Sequence, residues 1–177
     1  CRLYDDDTSK EQFHCEGCGI CRVGGRENFF HCFKCGCCIH HDLRLEHKCY
    51  EKNLHRNCPI CLEDLFTSTK SPTILPCGHP IHKSCFLKMN RELLLNSTDP
   101  QMWLRANACP LCQKSTRDLT SLWEAIDREI AATPMPEEYR DKRVDILCND
   151  CSAHSNVSFH ILAHKCLACG SYNTKKT

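Results

Sequence analysis

Leu119, Leu122, Trp123, Ile126 and Ile130 recur at intervals of three and four, the spacing that lines one face of a helix. Ser121 and Glu124 stand in capping-box register inside its first turn. Pro134 and Pro136 end the helix, because proline has no amide hydrogen to give the helical ladder. Such a face predicts an amphipathic linker packing on its neighbours, with a dimerisation or partner-binding helix as the alternative. Further on, NVSFHIL (156–162) alternates as a strand does. Near the other end, VGGRENFF (23–30) offers Gly24 and Gly25 for a turn and Phe29 and Phe30 for a small apolar core. No apolar run is long enough for a signal peptide or a membrane span.

These apolar stretches are short for a chain of 177 residues, and 19 cysteines and 11 histidines change the picture. That density suits several small modules better than one large core. The cysteines are odd in number and mostly paired two residues apart, which predicts reduced thiols, a nuclear and cytoplasmic setting, and few disulfides. A disordered metal sponge is excluded by a composition that is 41% hydrophobic and includes seven Phe, four Tyr and two Trp. The formal net charge is +1, from 23 basic and 22 acidic residues, so nothing drives the whole chain toward nucleic acid or a membrane surface. Residue 1 is Cys rather than Met and lies 14 positions before the next cysteine, which predicts a piece of a longer protein.

The first module (1–50) repeats itself. His14, Cys15, Cys18 and Cys21 recur as His31, Cys32, Cys35 and Cys38, each displaced by 17 residues, and His47 and Cys49 close the segment. Thiolates and imidazoles at these separations suit tetrahedral zinc. His40, His41 and His55 have no place in the repeat. Cys37 falls between repeat positions and reads as a buried thiol or an alternative ligand.

The second module (57–114) places Cys58, Cys61, Cys77, His79, His82, Cys85, Cys109 and Cys112 in four pairs. The interior pairs are too close for sequential pairing, and a cross-brace solves the geometry. Cys58, Cys61, His82 and Cys85 then hold one ion, and Cys77, His79, Cys109 and Cys112 the other. A PHD finger needs a longer gap between the fourth and fifth ligands, and a LIM domain does not put its first histidine one residue after a cysteine. The spacing is that of a RING. After a helix and linker (115–140), Cys148, Cys151, Cys166 and Cys169 form two knuckles of a one-ion zinc ribbon (144–175), with His160 and His164 in structural roles. Four-cysteine knuckles also hold iron, so an iron or redox role stands as a lesser alternative. The fold class is therefore a string of small zinc-stabilised α+β modules, the last of them rubredoxin-like.

FHCEGCGICRVGGRENFFHCFKC, NCPICLEDLFTS, LPCGHPIHKSC, ACPLC, TPMPEEY, VDILCNDC and KCLACGSYNT, in that order, resemble the RING finger and CHY zinc finger domain-containing ligases over nearly the whole chain. The resemblance implies that the first module is a CTCHY zinc finger with three zincs and twelve ligands. Eleven of them fall on Cys1, His14, Cys15, Cys18, Cys21, His31, Cys32, Cys35, Cys38, His47 and Cys49, and the twelfth before residue 1; the preceding CHY finger is absent. Counted this way the chain takes five or six zinc ions, and Cys37 alone among the cysteines is left over.

Closed four-ligand sites are structural, so no catalytic residue, and neither hydrolysis nor thiol redox chemistry, is expected. The resemblance further implies E3 ubiquitin ligase activity leading to proteasomal degradation of substrates. Ile60, Pro110 and Leu111 would form a shallow groove for a ubiquitin-conjugating enzyme (E2), with Trp103 and Leu104 as a further contact. Gln113 follows the eighth ligand, where many RINGs carry Arg or Lys, which predicts weaker activation. The partners implied are the E2, ubiquitin and protein substrates, transcription regulators among them. The segment 86–108, with RELLLNSTDPQMW, reads as a surface excursion. The alternative function is a zinc-stabilised adaptor without ligase activity. A nucleic-acid-binding multi-finger protein would need a basic stripe, and the charges here are interspersed.

Overall fold

The computed structural model describes residues 5–45, 47, 49–95 and 100–177. It divides into two compact units, one up to Lys88 and one from Met89 onward.

The first unit opens with two β-hairpins that embody the 17-residue repeat. Strands β1 (Phe13–Cys15) and β2 (Ile20–Arg22) pair antiparallel, and β3 (Phe29–Cys32) and β4 (Cys37–His40) do the same. His14 faces Cys21 across the first hairpin, and His31 faces Cys38 across the second. Strands of three or four residues are too short to stand alone, so the hairpins depend on what crosslinks them. Gly24 and Gly25 turn the chain between them at φ +98 and +80°, a region that suits glycine. Phe29 then packs 5.8 Å from Phe13, ring to ring, as the small apolar core requires.

A second small core lies under the following loop. Leu54 is buried with Cys35 and Cys37, and Cys32, Ile39, Cys49 and Phe66 pack around them. His55 stacks on Phe66 at 4.2 Å, and the Arg22 guanidinium donates to the Phe66 carbonyl at 3.0 Å. The loop is fixed at its other side by Asn53, whose buried amide donates to the Gly78 carbonyl at 2.8 Å. Beyond it, β5 (Pro72–Ile74) pairs with β6 (Pro80–His82), in which Ile81 is fully buried, as is Leu65 ahead of the hairpin. Helix α1 (Lys83–Leu95) follows β6 directly and carries Cys85 in its first turn.

In the second unit, α2 (Pro100–Ala106) precedes the Cys109 knuckle, so helices occupy most of the segment expected to be a surface excursion. Helix α3 (Thr120–Ala132) is the one its apolar spacing predicts. The capping differs from the Ser121–Glu124 expectation. Asp118, two residues ahead of Thr120, accepts from the Thr120 amide at 2.9 Å and from its hydroxyl at 2.6 Å. The inward face packs on the ribbon: Trp123 lies 6.1 Å from the Tyr172 ring, and the Tyr172 hydroxyl donates to Asp127 at 2.7 Å. The ribbon is a three-stranded antiparallel sheet ordered β8 (His154–Ser158), β7 (Arg143–Cys148), β9 (Thr174–Lys176). The strand expected over 156–162 stops at Ser158. His160 ends it: its Nδ1 accepts from the Leu162 amide and its Nε2 donates to the Thr133 carbonyl, which turns the chain.

Among the described residues, no helix is long and apolar enough to cross a membrane.

Candidate metal centres

Six Cys-x-x-Cys pairs, those that begin at Cys15, Cys32, Cys58, Cys109, Cys148 and Cys166, sit on the same backbone device. The residue after the second cysteine has a positive φ: Gly19 +69°, Gly36 +67°, Leu62 +62°, Gln113 +61°, Ser152 +62° and Gly170 +74°. Its amide donates back to the carbonyl of the first cysteine at 2.8–3.0 Å. Leu62, Gln113 and Ser152 are not glycine, and the left-handed conformation costs such residues on the order of 1 kcal/mol. Something must hold these turns against that cost.

The turn aims backbone amides at the first sulfur. Cys58 Sγ accepts from the amides of Cys61, His82 and Ile60, and Cys15 Sγ from those of Cys18 and Gly17. Such donors favour a thiolate. Crowding sets the thiols against one another. Burial raises Cys32, yet the Cys35 amide and His47 outweigh it and pull the thiol down to about 6. Burial, then the neighbouring Cys32 sulfur, pushes Cys35 up to about 12. The ribbon repeats the pattern, with Cys166 pulled to about 7 against its own burial by the Cys169 amide, and Cys148 pushed by burial to about 12. Several thiolates at one point repel each other, and a divalent cation removes the conflict.

The clusters close with four ligands. In the first unit, Cys15, Cys18, His31 and Cys38 converge, as do Cys32, Cys35, His47 and Cys49, and Cys58, Cys61, His82 and Cys85. In the second unit, Cys148, Cys151, Cys166 and Cys169 converge. Ligand atoms of a tetrahedral zinc site stand about 3.5–3.8 Å apart, given Zn–S near 2.3 Å and Zn–N near 2.0 Å. Here Cys18 Sγ lies 3.3 Å from His31 Nδ1 and 3.5 Å from Cys38 Sγ. Cys61 Sγ lies 3.2 Å from His82 Nδ1. Cys148–Cys169 and Cys151–Cys166 are both 3.6 Å apart. The residues fit zinc.

The pairing within the first module was not readable from spacing. The His–Cys pair facing across one hairpin caps the knuckle of the preceding copy: His31 and Cys38, from β3 and β4, complete the site begun by Cys15 and Cys18. His47 and Cys49 complete the next one. His14 and Cys21 face each other in the same way, with Nδ1 and Sγ 3.8 Å apart. Cys1 lies outside the described residues. The one hint in the sequence was the repeat itself, in which the His–Cys pair recurs with its own knuckle between the two.

Cys77 Sγ and His79 Nδ1 stand 3.4 Å apart in the first unit, and Cys109 and Cys112 form a knuckle in the second. Cys37 joins no cluster among the described residues. It is 2% exposed in the Leu54 core, and burial pushes its thiol up to about 11. His160 and His164 lie outside the ribbon cluster, and His55 is engaged with Phe66.

Residues 57–114 match the zinc-RING finger domain model. The chain contains a RING finger. Residues 117–175 match a zinc-ribbon model, which takes in α3 along with the sheet on which it packs. With a RING, a ribbon and clusters of zinc geometry, the chain binds zinc. It is 48% identical over its whole length to the E3 ubiquitin-protein ligase RZFP34 of Arabidopsis thaliana, covering 57% of that protein. It is 49% identical, over 99% of its length, to the probable E3 ubiquitin-protein ligase RZFP34 of Oryza sativa subsp. japonica, covering 54% of it. Zinc finger protein BRUTUS of Arabidopsis thaliana is 43% identical over 99% of the chain, which covers 13% of that larger protein. The chain thus spans little more than half of the two ligases and a small part of the third relative.

Proposed function

We propose that this RING-containing chain is an E3 ubiquitin ligase that docks a ubiquitin-conjugating enzyme and promotes transfer of ubiquitin to substrate lysines. The observation that carries the reading is apolar side chains turned to water at RING knuckles that would be expected to bury them. Ile60, inside the first knuckle, is 39% exposed, and Leu111, inside the Cys109 knuckle, is 51% exposed. Trp103 on α2 is 46% exposed, and Leu62 is exposed beside Ile60. Apolar residues held on rigid turns are what a partner's loops need. The names of the two RZFP34 relatives support the same reading.

In this reading Cys77 and His79 share an ion with Cys109 and Cys112, closing the cross-brace. The E2 rests on Ile60, Pro110 and Leu111, with Trp103 and Leu104 to one side and Gln113 at the edge. Zinc, when bound, supplies structure, since each site is closed by protein ligands. The substrate amine attacks the thioester carbonyl on the E2, the E2 thiolate leaves, and an isopeptide bond forms. No bond to this chain is made at any stage. Its contribution is to hold thioester and ubiquitin in a reactive arrangement, which lowers the entropic part of the barrier.

The two N-terminal hairpins act as a CTCHY-type module, in which His14, Cys21 and Cys1 contribute to a further site. That module or the ribbon captures the substrates, transcription regulators among them, for proteasomal degradation in nucleus and cytoplasm. The rival reading is an adaptor that recruits proteins without engaging an E2, and Gln113 in place of a basic residue is what favours it.

The test is single-turnover discharge of ubiquitin-loaded E2s onto free lysine. The wild-type chain accelerates discharge, and Ile60→Ala slows it roughly tenfold with zinc content unchanged. A zinc-replete wild type that discharges no E2 of a broad panel leaves the adaptor reading.

A further inference from the structure

Gln113 is the residue immediately after the last RING ligand, and its backbone is held from the ribbon. Its φ is +61°, an uncommon state for a residue with a side chain, and it stands on the exposed tip of the knuckle. The Asn173 side-chain amide, on a residue only 7% exposed, donates to the Gln113 carbonyl at 2.7 Å. Sixty positions separate these two residues. The contact is therefore tertiary, and it lies within one compact unit.

The amide that makes it has one possible orientation. Asn173 Nδ2 also donates to Asp150 Oδ1 at 3.0 Å, and Asn173 Oδ1 accepts from Asn149 Nδ2 at 2.9 Å. Flipping the amide would set its oxygen against a carbonyl and a carboxylate. The Asp150 carboxylate is itself engaged by donors from both sides. It accepts from the Ser115 amide at 2.7 Å, the Ser115 hydroxyl at 3.0 Å and the Ser171 hydroxyl at 2.6 Å. Ser115 belongs to the RING's closing bridge with Ala108, whereas Asp150, Ser171 and Asn173 belong to the ribbon's knuckles and the turn into β9. Half-buried hydrogen bonds that all converge on one carboxylate make a rigid lock. On its outer side, the Gln113 side chain folds back and donates to the Pro110 carbonyl at 3.3 Å.

We infer that the ribbon is a working part of the E2 platform, in which Asn173 and Asp150 are positioning residues for the Pro110–Gln113 tip of the RING. This rests on the ligase reading above, and it assigns the ribbon a role beyond substrate capture. The ribbon substitutes rigidity for the missing basic residue: a tip clamped in one conformation loses less entropy when an E2 docks.

The experiment compares the zinc-loaded 177-residue wild type with Asn173→Ala, and with Asn156→Ala as a ribbon control, an exposed residue of β8 whose side chain bonds to Arg143 and Asp145. Amide hydrogen exchange at Gln113 and Ser115 reads the lock, and titration with purified E2s reads docking. Asn173→Ala removes the bonds to Gln113, Asp150 and Asn149 together; in it exchange accelerates at those two amides and the E2 Kd rises roughly fivefold, the share that the single bond to the Gln113 carbonyl predicts for docking. Zinc content stays at the wild-type value, and Asn156→Ala changes neither readout. Should Asn173→Ala lose its ribbon zinc, Ser171→Ala, which removes one hydroxyl from the same carboxylate, takes its place with the same expectations. Unchanged exchange overturns the inference, and so does faster exchange with an unchanged Kd. A wild type that binds no E2 overturns the ligase reading and the docking claim together. That failure is distinguishable because exchange at Gln113 is measured without any E2.

Discussion

Gly17 lies flat against the imidazole of His31: a Cβ at Gly17 would come within 2.7 Å of the His31 ring. The first knuckle thus accepts a ligand from the second repeat only because one of its residues has no side chain. Lys34 stands at the equivalent place in the second copy and is exposed. Gly17→Ala is expected to displace His31 and to destabilise the hairpins by roughly 1–3 kcal/mol. The protein should lose about one equivalent of zinc, the full occupancy of one four-ligand site. Lys34→Ala should lose none. Metal analysis of the two purified variants checks both.

Cys37 offers a complementary expectation. Because it packs with Leu54 outside the clusters of the described residues, Cys37→Ala should retain the full zinc complement. Cys37→Ser puts a hydroxyl in an apolar site and should cost roughly 1–3 kcal/mol in chemical denaturation. Zinc loss in the alanine variant would make Cys37 a ligand after all.

The bond between Tyr172 and Asp127 predicts a pH signature. Burial, then the Asp127 carboxylate, raises the Tyr172 pKa above its ordinary value of 10.0. The folded state therefore keeps the phenol proton longer than the unfolded chain does. The stability that Tyr172 contributes is complete below pH 10 and is lost as pH rises from there toward the folded pKa. Wild type should melt above Tyr172→Phe at pH 8, by the few degrees that roughly 1–2 kcal/mol provides. That gap should narrow above pH 10, as followed by circular dichroism.

Gln113 supplies an expectation in the direction of gain. Gln113→Arg puts a charged donor at the exposed tip, where E2 and ubiquitin are expected to meet, and should speed discharge roughly fivefold. The left-handed backbone tolerates arginine about as it does glutamine, so thermal stability should barely move. A rate that stays at the wild-type value would place that tip outside the interface.

Removing the metal tests the common foundation. The strands of the first unit are three or four residues long and its apolar cores are small. Chelation should abolish near-ultraviolet dichroism and E2 discharge together, and added zinc should restore both. A chain that keeps its tertiary signal without metal would contradict the structural role of the clusters.

Much of this molecule is legible in the order of its residues because a zinc ligand pair is local. Two cysteines three positions apart on a tight turn make a knuckle from local backbone alone, and the 17-residue repeat, the α3 face and the closed ribbon site follow from short-range pattern, although Cys18 with Cys21 and Cys35 with Cys38 have the same spacing and share no site. The tertiary structure decided which knuckle each His–Cys pair completes, since facing positions on a hairpin can reach backward or forward with equal spacing. It also decided that Cys37 is core, that the Thr120 amide at the start of α3 is taken by Asp118 rather than by a Ser121–Glu124 box, and that His160 ends β8, because burial and turn chemistry compete with periodicity there. The hold of Asn173 on Gln113 is of the same kind. An asparagine's spacing carries no signal about which carbonyl, sixty positions away, will lie within reach of its amide once the chain has folded.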